Sequence, residues 1–151
     1  MTSFEDFYSS IDTTGPAIVH IGPKGKIANS IKLKICGRRL MVAAVGEPSI
    51  TLLLEHFREG LATKVLHHNM RTLVDLTRFV GVVDWSALSR LRTLAPWGTD
   101  QSHPSRTAYL LRDSSAVMMV KAASALFPQS AHQAFTDKAK AVSWLEAAHL
   151  H

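Results

Sequence analysis

The period of the apolar residues changes several times along the chain, and each change marks an element. Ile31-Lys32-Leu33-Lys34-Ile35 alternates with apolar residues at odd positions, the pattern of a half-buried strand with its lysines on the wet face. Cys36-Gly37-Arg38-Arg39 reads as a hairpin turn, and Leu40 to Val45 as a returning strand, apolar throughout and therefore deeper in the sheet. After Gly46-Glu47-Pro48-Ser49, the residues Ile50, Leu53, Leu54, Phe57, Leu61, Val65 and Leu66 recur at helical spacing, predicting a helix down to about His68. Met70 to Leu94 then runs from a short buried strand, Thr72 to Leu76, through Phe79-Val80-Gly81 into an amphipathic helix. Asp84 is that helix's natural N-cap, and Trp85, Leu88, Leu91 and Leu94 form its apolar stripe.

The rest of the chain continues the alternation. Arg106 to Leu111 predicts a strand, and Asp113-Ser114-Ser115 caps a helix carrying Val117, Val120, Ala123, Leu126 and Phe127. His132 to Phe135 is a short strand, and Thr136 or Asp137 caps a last helix with Val142, Leu145 and Ala148. Upstream, Phe4, Phe7, Tyr8 and Ile11 share a helical face, and Ala17 to Ile21 is a short apolar run ahead of a Gly-Pro-Lys-Gly turn. Strand alternating with helix calls for parallel strands and right-handed crossovers. The expected fold is a single α/β domain. It has a mixed, mostly parallel sheet of about five strands, an N-terminal hairpin and about four helices packed on the sheet. Residues 1–30 form an N-terminal extension packed on a domain spanning 31–151.

Length and composition agree with this. A chain of 151 residues that is 46% apolar and 19% charged can bury a core without staples. Cys36 is the only cysteine, which rules out an intrachain disulfide or a cysteine-based zinc site and fits a reducing compartment. No secretory pattern opens the chain, and no apolar run approaches the roughly 20 residues that span a bilayer. The expectation is a cytoplasmic protein with no membrane span. The net charge of +5 is concentrated in Lys24, Lys26, Lys32, Lys34, Arg38 and Arg39, a stretch with no acid. It contains no aromatic residue to stack on bases, so a lysine-protected strand edge is favoured over a nucleic-acid site.

Catalytic signatures are missing. No Gly-x-Ser-x-Gly, Gly-x-Gly-x-x-Gly or Walker A pattern occurs. The eight histidines show no paired-ligand spacing and read as scattered surface residues, so neither a metal nor a cofactor is expected. In a parallel sheet, the loops at the carboxyl ends of the strands gather on one edge. Here that edge would collect Glu47 and Ser49, Asp84 and Ser86, Asp113, Ser114 and Ser115, and Thr136 and Asp137. Such residues cap helices in any protein, but together they also form a hydroxyl-rich edge with helix N-termini that can receive an anion or a partner loop.

Three segments carry a resemblance: Val45-Gly46-Glu47-Pro48-Ser49, Leu73-Val74-Asp75-Leu76, and Phe135-Thr136-Asp137 leading to Ala141-Val142-Ser143-Trp144-Leu145. In their order and spacing, over roughly Ile31 to Ala147, the chain resembles the STAS fold. The nearer likeness is to the stand-alone bacterial SpoIIAA-like group, which is related to CRAL-TRIO lipid carriers. In the anti-sigma-factor antagonist branch, the junction after the central strand reads Asp-Ser-Ser-Gly-Leu and its second serine is phosphorylated. Asp84-Trp85-Ser86-Ala87-Leu88 matches at Asp84, Ser86 and Leu88, with Ser86 on the switch position, and departs at Trp85 and Ala87. The resemblance implies a non-enzymatic binding or regulatory module of a bacterial cytoplasm. It would recognise a protein partner through the edge around Asp84, Trp85 and Ser86, with Ser49, Ser114, Ser115 and Asp137 beside it. The alternative it implies is a carrier of a lipid or small apolar ligand between helices and sheet. At this length Met118 or Met119 is expected to fill core, while Trp85, Trp97 and Trp144 are candidates for a homodimer surface.

Overall fold

The computed structural model describes residues 17–21, 30–36, 39–46, 50–67, 70–80, 105–113, 117–126 and 130–147. Six strands lie side by side in chain order: β1 (Ala17–Ile21), β2 (Ser30–Cys36), β3 (Arg39–Gly46), β4 (Arg71–Phe79), β5 (Arg106–Leu110) and β6 (Ala131–Phe135). The pairs β1·β2 and β2·β3 are antiparallel, and β3 through β6 are parallel. Three helices are described: α1 (Ile50–Ala62), α2 (Val117–Leu126) and α3 (Lys138–Glu146). The helix predicted from Asp84 and the one predicted at Phe4 to Ile11 lie outside the described residues.

The strictly sequential order decides where the helices go. Right-handed crossovers repeated in one direction across a sheet deposit each connecting helix on the same face. Accordingly, α1 (Leu53, Leu54, Phe57) and α2 (Val120) share one core with Ile31, Leu33, Ile35, Leu40, Val42, Val74, Tyr109 and Leu111. The helix after the last strand, α3, crosses nothing and covers the other face. There Ala141, Val142 and Leu145 pack on Met41, Leu73, Ala108 and Leu110. With both faces covered, the sheet's interior strands are apolar on both sides, as the continuous run of β3 predicts.

Three expectations need correction. The lysines of β2 are not a wet, edge-protecting face, because β1 pairs with β2 from Ile31 to Ile35 and makes it an interior strand. Lys34, in register between Ile18 and Met41, is fully buried and Lys32 is half-buried. The helix after Ser49 ends at Ala62, not near His68: Lys64 takes a left-handed conformation (φ 65°) and Val65 is exposed. Leu66 folds back instead, its N–H donating to the Gly60 carbonyl at 3.0 Å. Finally, of the two methionines offered as core filling, Met118 is 71% exposed.

Candidate functional site

The described part of the strand-end edge is built by β3 and β4. Ala43 lies opposite Asp75 and Val45 opposite Arg78, so Leu76 and Thr77 together face Ala44. This bulge adds one residue to β4 and shifts its alternation. Val74 and Leu76 pack on the α1 core, but the next residue to do so is Phe79, leaving Arg78 exposed. Asp75 stabilises the irregularity: its Oδ1 accepts from the Thr77 N–H at 3.0 Å and from the Thr77 hydroxyl at 2.6 Å. β4 then runs on with β3 as far as Gly46 opposite Phe79, whereas its pairing with β5 stops at Asp75 opposite Leu110. At the tip, the Val80 N–H donates to the Gly46 carbonyl at 3.0 Å, and Gly46 has φ 69°, a conformation that favours glycine. Val80 is 68% exposed.

Of the residues predicted for this edge, Asp84, Trp85 and Ser86 follow Val80 but lie outside the described residues, as do Ser49, Ser114 and Ser115. Asp137 is described, and it is a helix cap. Its Oδ1 accepts from the N–H groups of Ala139 at 2.9 Å and Lys140 at 3.4 Å. Asp113 and Asp137, following β5 and β6, are both exposed, and the parallel topology brings them to the same edge as Val80. Trp144 is engaged by its own chain, against the Phe135 ring at 5.7 Å and under the Arg106 guanidinium at 5.4 Å.

Sequence reasoning missed a polar group at the opposite, amino edge. Tyr109 OH and His132 Nδ1 are 3.0 Å apart, and His132 Nε2 lies 2.8 Å from Ser130 Oγ. The two rings also stack, with centroids 5.8 Å apart. Burial pushes the Tyr109 phenol far above its ordinary range, so it stays neutral and must hydrogen-bond as a phenol. His132 is therefore a structural partner rather than a scattered surface histidine. In register beside it, Thr107 is fully buried and its hydroxyl has no hydrogen-bond partner. Three arginines, Arg39, Arg71 and Arg106, open β3, β4 and β5 on the α3 face. The visible signal was an arginine one or two residues ahead of each apolar run; the register that aligns them was not in the sequence. No group of three or more metal-ligating side chains occurs among the described residues.

No protein-family model matches the chain, and no curated protein does. Among solved structures it is similar to an uncharacterized protein from the DUF3478 family, with a SpoIIAA-like fold, from Shewanella loihica PV-4. The TM-score is 0.54 at 18% identity, over 90% of this chain and 99% of that one. The chain has a SpoIIAA-like fold. At that identity the likeness concerns the fold alone, and the SpoIIAA-like architecture expected from the three sequence segments is the one observed. Among the described residues, no helix is long and apolar enough to cross a membrane.

Proposed function

We propose that the protein is a non-enzymatic binding or regulatory module of a bacterial cytoplasm. It recognises a protein partner through the carboxyl-end edge of the sheet, where β4 leads toward Asp84 and Ser86. One observation supports this reading best: β4 overhangs β5 from Leu76 to Phe79, and it carries Arg78 and Val80 out exposed at the tip. An apolar side chain beside a guanidinium, held on a bulged strand rather than a free loop, gives a partner a rigid platform. Ser86 adds the switch. At the first turn of the helix predicted from Asp84, a phosphoryl group meets unpaired amides and the positive end of the helix dipole.

The test is affinity capture with the wild type, Val80→Asp and Ser86→Glu. A partner held by the wild type is lost or weakened with both variants, while unfolding free energy stays within about 1 kcal/mol, as for surface changes. Equal capture by all three proteins overturns the reading. Native mass spectrometry of protein from cells supplies the other outcome. A co-purifying lipid supports a carrier of an apolar ligand instead.

A further inference from the structure

The amino edge of the parallel strands presents an unusual row. Arg39 lies opposite Arg71, and the register of Thr72 with Thr107 sets Arg71 opposite Arg106. Three guanidinium-bearing residues thus stand side by side on strands about 4.8 Å apart, all on the α3 face. Like charges directly across a sheet repel. Burial, and then the charge of Arg71, lower the pKa of Arg106. The end of α3 compensates in part. Arg106 Nη1 donates to the Trp144 carbonyl, which also accepts the Ala147 N–H at 3.4 Å, and Arg71 Nη1 donates to the Leu145 carbonyl at 2.9 Å, both in the last turn of α3, where carbonyls lack a full set of intrahelical partners. Glu146 reaches the row at ion-pair distance, 3.9 Å from Arg39 Nε and 3.6 Å from Arg71 Nη1.

That compensation engages Arg71 along one side only. Arg106 is buried, with its guanidinium over Trp144, so it is a fixed strut. The side chains of Arg39 and Arg71 remain 31% and 36% exposed. Arg71 uses only Nη1 for its hydrogen bond and ion pair, so Nε and Nη2 have no protein acceptor among the described residues. A planar donor fork fixed along one side and open along the other suits a tetrahedral oxyanion.

We propose that this amino edge is an anion site in which Arg71, with Arg39 beside it, takes the phosphate group of a ligand, and in which Arg106 and the end of α3 hold Arg71 in place. The site is at the opposite edge from the partner surface around Val80 and does not depend on it. Glu146 competes with the ligand for the same cations, so removing its charge opens the site further.

Calorimetric titration with inorganic phosphate and with glycerol phosphate, at constant ionic strength, tests the proposal. Saturable binding is expected in the wild type, weaker by about tenfold or more in Arg71→Ala, weaker to a smaller degree in Arg71→Lys, and tighter in Glu146→Gln. Lys140→Ala, at the far end of α3, leaves it unchanged. Sedimentation with phosphatidylcholine vesicles containing phosphatidic acid separates the sources: binding there and not to the solutes assigns a lipid headgroup, and the reverse assigns a soluble phosphate ester. If Arg71→Ala unfolds, the Glu146→Gln and Arg71→Lys arms still decide. No binding to any of these ligands, or binding indifferent to Arg71→Lys and Glu146→Gln, overturns it.

Discussion

Asp75 sits where β4 gains a residue on β3, and its carboxylate accepts the Thr77 N–H at the bulge. Asp75→Ala removes that acceptor and is expected to cost about 1–2 kcal/mol in urea unfolding, with Asp75→Asn milder because an amide oxygen can still accept. Tyr109 and His132 obey the same accounting in the core. His132→Ala leaves the buried phenol without its imidazole partner and is expected to cost about 1–3 kcal/mol, and less in a Tyr109→Phe background, where there is no hydroxyl to satisfy. A double-mutant cycle reads the difference; equal costs in both backgrounds would mean the pair is not coupled. Neither pairing was legible along the chain. Asp75 appears as a polar interruption of an apolar run, and His132 gains its partner only because β5 and β6 are neighbours in register.

The described elements were legible in existence and in most of their starts. Asp137 caps α3 as its position before Lys138-Ala139-Lys140 suggests, and the alternation of β2 does place Ile31, Leu33 and Ile35 in one core. Ends and faces were harder. Val65 and Leu66 continue the apolar spacing of α1, yet the helix stops at Ala62 because Leu66 turns back over Gly60. A Cβ on Gly60 would fall 2.6 Å from Leu66 Cδ1. Gly60→Ala, which would raise propensity in an isolated helix, is therefore expected to lower the melting temperature by an amount equivalent to about 1–3 kcal/mol. The apolar run of β4 likewise predicts an end at Leu76, and the bulge extends the strand to Phe79 by bringing that ring onto the core.

At the scale of the whole molecule, burial on both faces makes stability depend on pH at the alkaline end. The folded state raises the Tyr109 pKa, so above the unfolded phenol's value near about pH 10 the unfolded chain loses a proton that the folded one keeps. Stability from this group is fully present below that pH and falls as pH rises through it. Melting temperatures taken from neutral pH to about pH 11 should drop more steeply in the wild type than in Tyr109→Phe; parallel curves would place the alkaline loss elsewhere.

Local periodicity determined, by itself, the α/β class, the hairpin followed by strand–helix alternation, and the residues of the α1-side core. Those follow from each element's need to bury one face, which is written in its own spacing. Two things waited for the tertiary structure. One was which strand is interior: β1 pairs with β2 and buries Lys34, although Ile31 to Ile35 alternates like a half-exposed strand. The other was register, which set Arg39, Arg71 and Arg106 in one row against the end of α3 and joined Tyr109 to His132. Both depend on hydrogen bonds between strands, across a short connection for β1 and β2 and across tens of residues for β3 to β6, and nothing in the local pattern of either strand specifies its neighbour.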